Sequence, residues 1–338
     1  MKWQDGRRSS NVEDDRASSM RTSSGSLGML IPIIRFLLGS KIGRIVLVIG
    51  VVAYFMVYNP LALLDGGAST QREPTDSPQE QEKLAFVSAV LAQTEDVWGE
   101  IFKSAGARYE EPGLRLFRDQ IASGCGFASA QTGPFYCPRD HKIYLDLGFF
   151  DELANKYKAG GDFAQAYVIA HEVGHHVQNL VGTLEQVAAL KRRARSEAEQ
   201  NALQVKVELQ ADCYAGIWAH YLAKAGRVLE AGDIDEALNA ASAIGDDTLQ
   251  RKFSGRVVPD SFTHGTSAQR KEWFKKGLAG GNLKACSFEP QCAICKFNVE
   301  RDETLYDIHL CVVQYEILFA TYVSSTISRV LTCDRLRR

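Results

Sequence analysis

The segment His171-Glu172-Val173-Gly174-His175 restricts the fold most strongly, because its chemistry requires a helix. On a helix, residues four apart lie on one face and about 6 Å apart along the axis. The imidazoles of His171 and His175 can then bind a single Zn²⁺. Glu172 leaves the helix about 100° away, where its carboxylate can take a proton from a water on the metal. The segment therefore predicts a metal-binding helix with Glu172 as general base.

The residues around this segment predict that the helix is buried. Gly160-Gly161 breaks the chain before it, Asp162 can cap its N-terminus and Gly182 can cap its C-terminus. Gly174 is costly inside a helix, so it predicts close packing against another element. Apolar side chains recur at helical spacing at Ile169, Val173 and Val177.

A catalytic zinc normally takes three protein ligands, so a third is needed. Residues 184–225 have the composition of one long helix, on which Glu208 and Asp212 share a face. We predict that Glu208 is the third ligand and that Asp212 hydrogen-bonds the far nitrogen of His171. This Glu-x-x-x-Asp arrangement resembles the gluzincin class of zinc proteases. The alternative is a surface carboxylate pair, which the apolar residues around it argue against.

The chain resembles a bacterial membrane-anchored family, the putative neutral zinc metallopeptidases, over residues 1–286. The resemblance implies a predominantly helical, zincin-like α+β domain with a small β-sheet. It also implies zinc on His171, His175 and Glu208, with Glu172 as base. Besides the segments around these ligands, it is carried by residues 1–4, 7–14, 123–126, 133–138, 144–146 and 261–270.

Residues 45–64 are apolar over a length that can cross a bilayer of about 30 Å as one transmembrane helix. Lys and Arg are frequent before this stretch and sparse after it, which predicts a cytoplasmic N-terminus and an extracytoplasmic catalytic domain. A signal peptide is the alternative, but some forty residues precede the stretch and no small-x-small cleavage pattern follows it. Residues 27–39 are too short to span and are expected at the membrane interface.

Composition divides the chain into five parts. We predict a disordered cytoplasmic arm (1–26), a membrane segment (27–64), a linker (65–81), one metallopeptidase domain (82–286) and an atypical tail (287–338). The net charge of −2 does not indicate nucleic-acid binding.

Four of the eight cysteines lie upstream of the tail. Cys125 and Cys137 flank a glycine-containing loop and are predicted to form a disulfide, worth about 3 kcal/mol in the chain-entropy model. Cys213 either pairs with Cys286 or is a buried free thiol. Cys292, Cys295 and Cys311, with His309, could form a second zinc site, although a lineage-specific extension or an altered reading frame fits their spacing better.

His264 is the candidate donor to the oxyanion that forms during hydrolysis. It stands in a glycine-containing loop before a predicted helix capped by Thr266 or Ser267. A packing or loop-capping histidine is the alternative. Tyr136, Tyr144 and Tyr221 are weaker donor candidates that the sequence does not rank. His176 is expected at the surface or beside the site.

The predicted activity is hydrolysis of peptide bonds by a membrane-anchored zinc endopeptidase. Residues 142–147 read as a strand, and in zinc proteases the strand before the metal helix commonly offers its edge to an extended peptide. This favours extracytoplasmic proteins or peptides as substrates. The alternative is a catalytically silent zinc-binding scaffold or interaction protein in the membrane, which would have no need of Glu172.

Overall fold

The computed structural model describes residues 1–17, 77–129, 132–226 and 228–288. These residues form mostly helices with a small sheet, so the predicted α+β class is confirmed. Within the described ranges, no helix has the length and apolar character needed to span a membrane. The predicted transmembrane segment at 45–64 and almost all of the tail lie outside these ranges.

Eight α-helices, six strands and two short 3₁₀ turns make up the described residues. The helices are α1 Pro78–Ser104, α2 Gly148–Asn155, α3 Asp162–Leu180, α4 Thr183–Arg193, α5 Glu197–Ala225, α6 Asp233–Ala243, α7 Asp246–Ser254 and α8 Ser267–Gly280. The strands are β1 Val12–Asp14, β2 Gly113–Phe117, β3 Gln120–Ser123, β4 Gly126–Ser129, β5 Phe135–Cys137 and β6 Lys142–Asp146, and the turns are Pro259–Ser261 and Leu283–Cys286.

Helix α3 lies at the centre and packs against α1, α5 and α6. Large side chains such as Trp98, Tyr167 and Trp218 are fully buried around it. As the sequence predicts, Gly174 marks a close approach: a Cβ there would lie 2.9 Å from the carbonyl oxygen of Ala211 on α5. The missing side chain therefore brings the two helices that carry the predicted ligands together.

The prediction of one long helix over residues 184–225 is wrong in one respect, because the structure has two helices there. Ala194 adopts an extended conformation that ends α4. The side chain of Ser196 then accepts a hydrogen bond from the backbone N–H of Glu199 and caps a new helix, α5. A serine cap inside a charged, helix-favouring run was the local signal for this break.

The main sheet has the order β1-β2-β6-β5, with β5 antiparallel to β6 and the other pairs parallel. Strand β6 was expected to offer its edge to a peptide, but it lies between β2 and β5. The chain reverses through residues 138–141, where His141 has a φ of 56°, and so β5 covers β6. Strand β5 is the edge strand on this side.

Residues 1–17 differ from the predicted disordered arm. Strand β1 pairs with β2, from Val12 opposite Leu114 to Asp14 opposite Leu116. Trp3 belongs to the main core, and Arg16 is only 4 % exposed. The polar composition of this segment predicted disorder, but Arg7 and Arg16 form ion pairs with Glu95 and Glu80, which lie more than 60 residues away in sequence.

Both disulfides upstream of the tail are present. Cys125–Cys137 ties the β3–β4 hairpin to β5, as the sequence predicts. Cys213–Cys286 joins α5 to the last turn of the described chain and decides between the two alternatives for Cys213. The helical ligand scaffold is thus linked covalently to the end of the domain.

Candidate metal centre

Helices α3 and α5 bring the three predicted ligands together. Glu208 Oε2 lies 3.3 Å from His171 Nε2 and 3.4 Å from His175 Nε2. One ligand atom from each of the three residues lies within 4.8 Å of the others. Ligand atoms that are each about 2.0–2.1 Å from a tetrahedral zinc lie about 3.3 Å apart, so this donor set fits zinc.

Asp212 holds the far side of His171. Its Oδ1 lies 2.8 Å from His171 Nδ1, the contact that the sequence predicts. Arg270 Nε donates to Asp212 Oδ2 at 2.8 Å, and the Tyr167 hydroxyl also donates to Asp212. Burial alone would raise the pKa of Asp212, but Arg270 and His171 lower it to about 2. Asp212 is therefore ionised at neutral pH and orients His171 Nε2 towards Glu208.

Two glutamines fix the remaining ligands. Gln178 Oε1 lies 2.8 Å from His175 Nδ1, while its amide nitrogen donates to the Val207 carbonyl oxygen on α5 at 2.7 Å. Gln204 donates to Glu208 Oε1 at 2.6 Å, which leaves Oε2 facing the histidines. The ligand atoms are thus held in position by the protein itself.

The cluster lies in a cavity of about 760 Å³ whose wall includes Glu172 and His264. Glu172 is 7 % exposed, next to the ligands on α3. His264 is half exposed, and its Nδ1 lies 3.2 Å from Asp246 Oδ1. The backbone N–H groups of residues 263–265 also donate to Asp246, so this carboxylate fixes the loop as well as the ring. A base candidate and a donor candidate therefore share one cavity with the ligands.

His176 was expected either at the surface or beside the site, and the surface position is wrong. It is fully buried, with Nδ1 3.0 Å from the Tyr136 hydroxyl and Nε2 2.6 Å from the Glu110 carbonyl oxygen. Burial lowers its pKa to about 4. The hydroxyls of Tyr136 and Tyr144 are engaged by His176 and Asp140 respectively, so neither is a free donor. His176 joins α3 to β5.

Sequence reasoning missed the residues that hold the ligands. Gln178 follows His175 by three positions on the same helix face, a local signal that could have indicated it. Arg270 lies 58 residues from Asp212, and no local pattern connects the two. The other missed residues are Tyr167, Gln204 and Asp246.

Comparison with known proteins agrees with this geometry. Residues 1–288 match the model of the family described as "Putative neutral zinc metallopeptidase". The chain is 48 % identical over 289 residues to the uncharacterized protein YpfJ of Escherichia coli (strain K12), covering 85 % of this chain and 98 % of that protein. It is 42 % identical over 212 residues to the uncharacterized protein Rv2575 of Mycobacterium tuberculosis (strain ATCC 25618 / H37Rv), covering 60 % and 70 % respectively. No solved structure matches the chain significantly. The chain therefore belongs to the neutral zinc metallopeptidase family that this description names.

Proposed function

We propose that this protein is a zinc-dependent endopeptidase that hydrolyses peptide bonds of polypeptides outside the cytoplasm. The observation that carries the proposal is the convergence of His171, His175 and Glu208 in the cavity that Glu172 also lines. A structural zinc site has no need of a neighbouring carboxylate or of an open cavity, whereas hydrolysis needs both.

Zinc bound to these ligands would acidify a water molecule and polarise the scissile carbonyl group. Glu172 accepts the proton of the attacking water and passes it to the departing amine. His264, held by Asp246, donates to the oxygen on which negative charge develops. Asp212 and Gln178 keep the two histidines in the orientation that this chemistry requires.

The strand edge beside the cavity favours an extended polypeptide over a small ester as the substrate. Phe135 and Tyr136 of β5 line it, and β5 is the edge strand on that side of the sheet. An extended peptide can add to such an edge through backbone hydrogen bonds.

Two observations favour a location at the outer side of the cytoplasmic membrane. The domain contains two disulfides, which persist in oxidising compartments. The apolar residues 45–64 have the length and composition of a membrane attachment.

The full-length protein in detergent, incubated with unfolded casein, tests the proposal. We expect hydrolysis that a zinc chelator abolishes and that one equivalent of zinc restores. A protein that holds one equivalent of zinc and cleaves neither casein nor a peptide library would instead be the silent scaffold.

A further inference from the structure

Residues 1–17 are bound to the rest of the domain through hydrogen bonds of the backbone as well as of side chains. The N–H of Ser9 donates to the Ser88 carbonyl oxygen at 3.0 Å, and the Ser88 hydroxyl donates back to the Ser9 carbonyl oxygen at 2.9 Å. The N–H of Lys2 donates to the Val228 carbonyl oxygen at 2.7 Å. The amino group of Met1 lies 2.8 Å from Asp162, the first residue of α3.

Buried acidic groups of α1 find their partners in this segment. The Glu95 carboxylate is 2 % exposed and accepts hydrogen bonds from Arg7, Ser9 and Asn11. A buried carboxylate without such partners is strongly unfavourable. The domain and residues 1–17 therefore form a single folded unit.

The two ends of the joining residues 18–76 emerge at the same place on this unit. Arg16 Nη1 donates to the Glu80 carboxylate at 2.9 Å and to the Glu80 carbonyl oxygen at 3.0 Å. A single passage of residues 45–64 through a bilayer would separate these groups by a hydrocarbon layer of about 30 Å. Contacts at hydrogen-bond distance cannot form across such a layer.

The charges of residues 1–17 do not oppose this arrangement. Four basic side chains lie in this segment, Lys2, Arg7, Arg8 and Arg16. Arg7 and Arg16 are moreover paired with Glu95 and Glu80. Arg16, the nearest of the four to the apolar stretch, lies 29 residues before residue 45. Lys and Arg set the orientation mainly within about 15–20 residues of a membrane span, so residues 1–17 add little to the bias from which a cytoplasmic N-terminus was predicted.

We infer that residues 1–17 lie on the same side of the membrane as the metal centre and form part of its domain. Any passage of residues 18–76 through the bilayer then consists of an even number of crossings. This replaces the single-pass orientation predicted from the sequence. The inference does not depend on the chain having peptidase activity.

A pair of cysteines tests the docking in the full-length, membrane-bound protein. Ser9→Cys with Ser88→Cys places two thiols on residues in direct contact, since the Ser9 N–H donates to the Ser88 carbonyl oxygen and the Ser88 hydroxyl to the Ser9 carbonyl oxygen. The matched control is Ser9→Cys with Ser104→Cys, because Ser104 lies about 24 Å further along α1. After mild oxidation of membranes, we expect mass spectrometry to find the 9–88 linkage in most molecules and the 9–104 linkage in few.

Labelling with a membrane-impermeant maleimide tests the sidedness independently. Ser10→Cys and Glu100→Cys place thiols at exposed positions of the N-terminal segment and of α1. Peptide-resolved mass spectrometry should show both thiols labelled in vesicles of one orientation and both protected in the other. Labelling from opposite sides, or a 9–88 linkage no more frequent than the 9–104 control, would overturn the inference.

Discussion

At the scale of single residues, a substitution of Glu172 distinguishes zinc binding from hydrolysis. Glu172→Gln keeps the shape of the side chain and removes the proton acceptor, so zinc content should be unchanged while hydrolysis falls about 100-fold or more. Glu185→Gln, on the exposed side of α4, is the matched control and should change neither. Zinc content by atomic absorption and casein cleavage measure the two effects. A variant with more than a tenth of the wild-type rate would remove Glu172 from the mechanism.

Asp212 should affect both the metal and the stability of the domain. Asp212→Asn weakens the hold on His171, which typically costs 10- to 100-fold in metal affinity. It also leaves the buried Arg270 without its carboxylate, so the free energy of unfolding should fall by about 3 kcal/mol. Competition with a chromophoric chelator and urea unfolding measure these effects, with the exposed Asp235→Asn as control. Unchanged values in both assays would show that Asp212 does not support the site.

At the scale of helices and strands, the contact between α3 and α5 sets the ligand spacing. Gly174→Ala would place a methyl group 2.9 Å from the Ala211 carbonyl oxygen and force the helices apart. We expect a loss of about 2 kcal/mol in unfolding free energy and a weaker zinc affinity. Gly99→Ala is the matched control, since no atom lies within 4 Å of its added Cβ, and it should stabilise α1 slightly. If Gly174→Ala bound zinc like the control, the helix contact would not govern the site.

The stability of the folded unit around Arg16 should depend on pH. Hydrogen bonds from Arg16 lower the pKa of Asp14. Burial raises the pKa of Glu80, but its ion pair with Arg118 outweighs this, so the pKa of Glu80 is also lowered. Carboxyl groups with lowered pKa values stabilise the folded state above their ordinary range, near pH 4, and this stabilisation is lost as the pH falls further.

Arg16→Gln should therefore lower the unfolding free energy at pH 7 by about 3 kcal/mol and reduce the loss of stability on acidification. Lys2→Gln removes the same charge from an exposed position of the same segment and should leave the acid dependence unchanged. Urea unfolding between pH 3 and pH 7 compares them. Identical pH profiles for the two variants would indicate that residues 1–17 do not dock through Arg16.

At the scale of the whole molecule, the last fifty residues should be dispensable for the metal centre. The family match ends at residue 288, and the predicted ligands and both disulfides lie upstream of that position. A stop codon after Phe288 should leave zinc content, unfolding free energy and hydrolysis unchanged. Loss of a second equivalent of zinc would instead assign a metal site to the tail.

The sequence predicted those features that rest on local spacing. The helix that carries His171 and His175, a helix cap at Thr266 or Ser267 and a strand over residues 142–147 were predicted from neighbours within a few residues. In the structure the cap is Thr266 and the strand is Lys142–Asp146. The sequence did not predict the pairing of β1 with β2, the interior position of β6 or the contact of Arg270 with Asp212. Each of these contacts joins residues that are distant in sequence and meet only when the fold has packed. The spacing of residues along the sequence does not indicate which distant residues will meet.

The pairing of β1 with β2 also sets an order of events during synthesis. Val12 and Leu114 are neighbours in the sheet but are translated about 100 residues apart, which at about 5–20 residues per second means a delay of about 5–20 s. During that interval Trp3 and Val12 leave the ribosome without their binding surface. Residues 1–17 are thus among the last to fold, and Cys286 must also be made before the second disulfide can close.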